Sequence, residues 1–208
     1  MMIGMQFLKE NKNYFIALAI LPLVFLYLDS GFISWMRAIE KEKSSLYYFL
    51  ESIDPVINVI GNGATLAIIA CVLFIIGKYT NKRLSETGKY LCIGFVTTGI
   101  LVQILKHLFG RARPKLMNEF LFIGPTFKDV YHSFPSGHTA EAFCFAYILA
   151  RYFPRQKILF FVYAIIVALE RTEDCSHFPS DVVAGALVGI IIGKLLFEIF
   201  KAKQLVVN

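Results

Sequence analysis

An all-α integral membrane bundle of about six transmembrane helices is the fold class this sequence predicts, and three observations predict it. The 208 residues are 57% hydrophobic with a mean hydropathy of +0.62, a balance that points to lipid rather than water as the solvent. Six apolar runs follow one another along the chain, at 14–28, 56–77, 88–109, 139–153, 158–169 and 182–200. The net charge of +6 is spread unevenly over the segments joining them. No repeat or low-complexity linker interrupts the pattern, so residues 1–208 read as a single membrane-embedded domain.

The first run follows Lys9 and Lys12 as a secretory signal would, but no small-x-small cleavage pattern comes after it, only Leu28-Asp29-Ser30-Gly31-Phe32. A retained anchor helix is expected. The stretch 31–55 mixes Phe32, Trp35, Met36, Tyr47, Tyr48 and Phe49 with Arg37, Glu40, Lys41, Glu42 and Lys43. That mixture predicts interfacial helices in the first outer loop. A span needs about 20 apolar residues. The second, third and sixth runs reach that length, whereas the first, fourth and fifth need their polar neighbours to be helical too. Gly61-Asn62-Gly63 and Gly94 fall within predicted spans, where small residues let helices approach closely. Cys71, Cys92 and Cys144 sit in apolar runs as small packing residues and Cys175 lies alone in a loop, so no spacing suggests a disulfide or zinc framework.

Charge placement sets the expected topology. With the N-terminus in the cytoplasm, the inner segments carry Lys9, Lys12, Lys78, Lys82, Arg83, Lys89, Arg151, Arg155, Lys157, Lys201 and Lys203. The outer ones carry Arg37, Lys41, Lys43, Arg111, Arg113, Lys115, Lys128 and Arg171. The bias favours both termini inside. No basic stripe with interleaved aromatics sits in a soluble domain, so nucleic acid is not an expected partner.

Three polar segments then fall on one side of the membrane: Lys106 to Pro114 (KHLFGRARP), Pro135 to His138 (PSGH), and Arg171 to Asp181 (RTEDCSHFPSD). Charges near membrane depth are costly to keep, so a functional site is their default reading. Gly110 and Pro114 should end the third helix, letting Lys106 and Arg113 converge on one anion, the arginine as a bidentate fork and the lysine as a point charge. Arg111 reads as a rim charge. Ser136 and Gly137 open the fourth helix, whose free amides suit an oxyanion, and His138 in its first turn is placed to move a proton. His177 and Asp181, four apart at the start of the last helix, can pair so that the carboxylate holds one ring nitrogen and leaves the other reactive. Arg171 adds a further cation.

Lys106…Arg113-Pro114, Pro135-Ser136-Gly137-His138 and Arg171…His177…Asp181 resemble, in order and spacing, the three signature motifs of the type 2 phosphatidic acid phosphatase family. The resemblance implies a metal-independent phosphomonoesterase or diphosphatase acting on membrane lipid phosphates, with no cofactor. It implies that His177 attacks phosphorus to form a phosphohistidine, that Asp181 orients it, and that His138 protonates the leaving oxygen. Lys106, Arg113, Ser136, Gly137 and Arg171 would bind the phosphoryl oxygens. Fixed cations there stabilise the charge of the transition state, and three of them oppose a dication at a two-histidine, one-carboxylate site.

Glu170 stands where the family has serine before its arginine, Glu173 and Asp174 follow, and Glu141 sits one turn after His138. These acids are expected to pair with Arg171 or Arg113 and fix their rotamers. The alternative is that Glu141 and Glu170 select a cationic head group. Two other functional readings stay open, phosphotransfer to a second lipid hydroxyl and transport of a lipid or phosphate. Partners expected are the bilayer and a lipid phosphate, with no obligate protein partner evident. The compact chain without an N-x-Ser/Thr acceptor suggests a bacterial inner membrane, its site on the periplasmic side.

Overall fold

The computed structural model describes residues 12–43, 45–116, 122–173 and 175–207; Lys9 and Asp174 lie outside them. The described residues form seven α-helices: α1 (Lys12–Glu42), α2 (Ser45–Gly61), α3 (Gly63–Thr80), α4 (Lys82–Phe109), α5 (Gly137–Tyr152), α6 (Lys157–Glu173) and α7 (Pro179–Val207). The chain is all-α and an integral membrane protein. Three stretches, Gly63–Thr80, Lys82–Phe109 and Pro179–Phe200, are long and apolar enough by themselves to cross a bilayer. They correspond to the second, third and sixth apolar runs.

Two boundaries differ from the sequence reading. Residues 31–42 are helical, but as the continuation of α1, whose 31 residues make about 46 Å, well beyond the roughly 30 Å hydrocarbon core. The run 56–77 is divided at Asn62. That residue is extended and its side chain accepts from Ala64 N at 2.8 Å, capping α3. An Asx cap of this kind satisfies helix-end amides that a continuous span would have paired internally. Apolarity alone does not register such a break. Gly61 does mark close packing, since a Cβ there would stand 2.8 Å from Val167 on α6.

The packing is that of a membrane bundle. Ile68, Val96, Ile100, Ile104, Val162 and Leu169 are exposed along the outer faces of α3, α4 and α6, where lipid tails receive them. Between the helices the buried residues are small: Ala140, Ala142, Ala146, Ala164, Ala168 and Ala184. With no hydrophobic drive between helices in lipid, such close van der Waals contact holds them together. The α5–α7 seam is the tightest. A Cβ on Gly185 would lie 2.5 Å from the Ser136 carbonyl oxygen and one on Gly189 2.2 Å from that of Ala140. Both obstacles are backbone, so neither can turn aside. Gly189→Val is therefore expected to push α5 and α7 apart, costing at least the 1–3 kcal/mol of ordinary overpacking. A lowered thermal midpoint in detergent would register it, and a midpoint within about 2 °C of the parent would contradict it.

One end of the bundle gathers the end of α4 and α6 with the start of α5 and α7. Lys78, Lys82, Arg83, Arg151, Arg155 and Lys157 cluster at the other end, where Asn81 joins α3 to α4 and Phe153 follows α5.

Candidate active site

The site is built where α4 stops. Gly110 takes a left-handed conformation (φ 56°) and its N–H donates to the Lys106 carbonyl, a C-cap that suits glycine. A Cβ there would also stand 2.0 Å from the Gly124 carbonyl oxygen. The chain then runs extended, with Ser133 N donating to Arg111 O at 3.0 Å and Arg113 N to Val130 O at 3.1 Å. Lys106 is 8% exposed. Its Nζ lies 3.8 Å from where a Cβ on Gly137 would stand, so the ammonium rests against the first turn of α5. Arg113 Nε donates to the Asp129 carbonyl at 3.4 Å.

The start of α5 is tied to the start of α7, because Ser136 N donates to the Asp181 carbonyl at 3.0 Å. Ser136 occupies the N-cap position, yet its hydroxyl makes no bond to the helix backbone. It lies 2.9 Å from Thr139 Oγ1 instead. His138 is the second residue of the helix, half-buried beside this end. At the end of α6 the loop folds back, His177 N donating to Arg171 O at 3.0 Å. That bond sets Arg171 and His177 on the two sides of one turn.

His177 is almost wholly enclosed. Its Nδ1 lies 2.7 Å from the Ser133 carbonyl oxygen and 3.7 Å from Asp181 Oδ2. A carbonyl can only accept, so Nδ1 carries the hydrogen and Nε2 keeps its lone pair. The direct orienting bond thus runs to Ser133, which sequence reasoning missed, and Asp181 acts beside it as a charge. Burial holds the imidazole below its usual value of 6.5, Lys106 and Arg113 push it the same way, and Asp181 opposes them. With Lys106 against Gly137 and Ser136 N bonded to the Asp181 carbonyl, all three motif segments meet here.

Asp181 is itself held from several sides. Oδ2 accepts from Ser133 Oγ at 2.5 Å and Phe178 N at 2.9 Å, and Oδ1 from Arg111 Nη1 at 2.5 Å. Arg111 is therefore no rim charge: it is 0% exposed. Its other terminal nitrogen donates to Asp29 of α1 at 2.8 Å. Asp29 was the second residue to go unnoticed in the sequence. Its signal was a lone carboxylate closing the first apolar run, the kind of residue that calls for a partner at membrane depth.

The acids expected to fix cations or read a head group separate. Glu170 is buried and its carboxylate is bound to the guanidinium of Arg171, as the rotamer-fixing reading expects. Glu141 points its carboxylate at the backbones of α3 and α4: a Cβ on Gly63 would meet its Oε2 at 2.7 Å and one on Gly99 its Oε1 at 3.7 Å. Glu173 lines a cavity of about 580 Å³ together with Arg37, Glu40, Glu51, Asp54 and Lys115. Lys115 links that cavity to the site, its Nζ 3.5 Å from the Oγ of Ser176 next to His177.

Comparison with known proteins places the chain in a family. The family model of the PAP2 superfamily matches residues 87–205, which contain all three motif segments. A lipid A 1-phosphatase of Rhizobium etli is 34% identical over 144 residues, 62% of this chain and 62% of that protein. An undecaprenyl-diphosphatase of Sulfolobus acidocaldarius is 32% identical over 57% of each. The chain thus spans less than two thirds of these relatives. Among solved structures, the PAP2-type phosphatidylglycerolphosphate phosphatase of Bacillus subtilis superposes with a TM-score of 0.68 over 90% of this chain and 96% of its own, at 20% identity. Aquifex aeolicus LpxE gives 0.57 over 79% and 93%, at 30% identity.

Proposed function

The chain belongs to the PAP2 superfamily, and we propose that it is a membrane lipid phosphatase that works through a phosphohistidine on His177. The observation that carries this is the 2.7 Å contact between His177 Nδ1 and the Ser133 carbonyl, which leaves the Nε2 lone pair available. Nε2 attacks phosphorus, the ester or anhydride P–O bond breaks, and His138 gives its proton to the leaving oxygen. Water then attacks the phosphoryl group, His138 takes the water's proton, and the P–N bond breaks to release phosphate and restore His177. Lys106, Arg113, Arg171 and the amide of Gly137 hold the phosphoryl oxygens, while the Ser136 amide, bound to the Asp181 carbonyl, fixes the loop that presents them. Each such donor lowers the barrier because it is already aimed when charge spreads over those oxygens. No metal is needed for that electrostatic work.

The substrate is a lipid phosphomonoester or pyrophosphate. Beside the site the cavity of about 580 Å³, with cations and carboxylates in its wall, has room for a polar head group beyond the reacting phosphate. This favours a phosphorylated glycolipid of the lipid A type over phosphatidic acid, phosphatidylglycerol phosphate or a polyprenyl pyrophosphate. The cations gathered at the opposite end of the bundle support cytoplasmic termini and a periplasmic site in a bacterial inner membrane.

The test is phosphate release by the purified protein in detergent from a panel of lipid phosphates, with and without a chelator. Release that survives chelation is expected, fastest on the glycolipid phosphate. Strict dependence on added metal would overturn the mechanism, and inactivity on the whole panel the function. The same assay run against pH carries a further expectation. The nucleophile is the neutral imidazole, and burial holds its titration below 6.5. The ring therefore stays reactive down to that lower pH, and the acidic limb of kcat/KM, which reports the free enzyme, should lie below 6.5. A limb above 7 would contradict the enclosure of His177.

A further inference from the structure

Asp29 and Arg111 have no part in the bond changes above, yet with Asp181 they form a fully buried cluster of three charges. Arg111 bridges the carboxylates, Nη2 to Asp29 Oδ2 at 2.8 Å and Nη1 to Asp181 Oδ1 at 2.5 Å. The rings of Phe178 and Phe122 flank the guanidinium, their centroids 4.1 and 5.2 Å from its carbon. Ser180 completes the cage: its N–H donates to Asp29 Oδ1 at 2.9 Å and its hydroxyl to Oδ2 at 2.6 Å. In this way α1 is fastened to the first turn of α7, whose Asp181 lies 3.7 Å from His177.

Charge counting gives the cluster a purpose. Arg111 and Asp181 alone would be a neutral pair, and a neutral pair offers little to a ring that becomes positive. When Nε2 of His177 bonds phosphorus while Nδ1 keeps its hydrogen, the ring does become positive. Asp29 brings the cluster to a net charge of −1 in a dry, weakly screened site, where one charge acts strongly. We propose that Asp29 is a positioning residue for phosphoryl transfer: it balances Arg111, so that the charge of Asp181 remains available to His177. The proposal rests on the phosphohistidine reading. His177 is also faced by Lys106 of α4 and Arg113 of the following loop, both of which oppose a positive ring, by the Ser133 carbonyl, and by the Arg171 backbone at the end of α6. Asp181 is the negative group that works against those cations, and what dilutes it matters.

The test uses the full chain in detergent, with Asp29→Asn, Arg111→Met and the double variant. The substrate-free readout is the titration of the His177 imidazole by NMR, its signal identified by its loss in His177→Asn. Asp29→Asn leaves Asp181 alone to balance Arg111 and should lower the midpoint. Arg111→Met removes the cation and should raise it. The double variant returns the cluster to −1 and should bring the midpoint back near that of the parent. On whichever lipid phosphate the parent hydrolyses, kcat of Asp29→Asn should fall about tenfold or more with KM within about twofold, the pattern of an interaction made in the transition state. Part of that loss should be recovered in the double variant. A midpoint unmoved by Asp29→Asn despite a lower melting temperature would reduce Asp29 to a structural tie and overturn the proposal. So would losses in kcat that simply multiply in the double variant. If Asp29→Asn does not fold, Arg111→Met and the double variant still decide, since adding Asp29→Asn to Arg111→Met must lower the midpoint. Because the titration needs no substrate, its outcome is separate from the function itself, which fails only if the parent releases no phosphate or His177→Asn keeps its activity.

Discussion

Replacing His177 by Asn should reduce phosphate release by roughly 10⁴-fold or more, the scale seen when a covalent nucleophile is removed from a site that keeps its other parts. Asparagine fits the enclosed space, and its amide can still donate to the Ser133 carbonyl that His177 Nδ1 faces at 2.7 Å. Loss of activity would then report the missing Nε2 lone pair rather than a collapsed loop. Substrate labelled in the phosphoryl group should leave acid-labile label on the parent protein after rapid quenching, and none on the variant. Activity within tenfold of the parent would refute the nucleophile. Loss of activity with label still bound would move the nucleophile to another side chain.

Much of this site is legible in the sequence because its chemistry is local. Gly110 and Pro114 announce the end of α4, and Gly137 the start of α5. The four-residue step from His177 to Asp181 brings the two side chains to 3.7 Å. What could not be read depends on contacts between distant segments. Arg111 and Arg113 differ by two positions and carry the same charge, and nothing local says which turns inward. The choice is made by Asp29, 82 residues away, and Asp181, 70 away. A buried arginine is stable only where carboxylates receive it, since an unpaired buried charge costs several kcal/mol. Ser133 was hidden for another reason. Its bond to His177 uses the backbone carbonyl, and any residue would supply that oxygen. The division of α2 from α3 at Asn62 was likewise masked, because hydropathy measures the solvent preference of side chains and is blind to one extended backbone residue.

The acids show how a composition signal changes meaning once geometry is known. The sequence offers Glu170 and Glu141 as partners of cations, with recognition of an amine as the alternative; one carboxylate is bound to Arg171 and the other faces the helices at Gly63 and Gly99. Glu40, Glu51, Asp54 and Glu173 line the cavity of about 580 Å³, three of them on α1 and α2, outside the motif segments. Under the proposed function, carboxylates placed to meet a head group therefore lie largely on helices that carry no motif.

His138→Ala should slow the reaction by about 10²–10⁴-fold on a lipid phosphate, the usual share of a general acid–base, and the size of the loss should depend on the leaving group. An alkoxide leaves poorly without a proton, so the natural ester suffers most. An aryl phosphate, whose phenolate is stable without protonation, should form the phosphohistidine at nearly the parental rate. Hydrolysis of that intermediate still needs a base to take the water's proton, so with the aryl substrate the variant should show a burst of phenolate followed by slow turnover. Label on His177 should accumulate during the slow phase. This separates acid–base work from phosphate binding, because a residue that merely held phosphoryl oxygens, as Lys106 and Arg113 are placed to do, would slow both substrates and both steps together. Equal losses on alkyl and aryl phosphates, with no burst, would place His138 among the binding groups and leave the proton transfers to water.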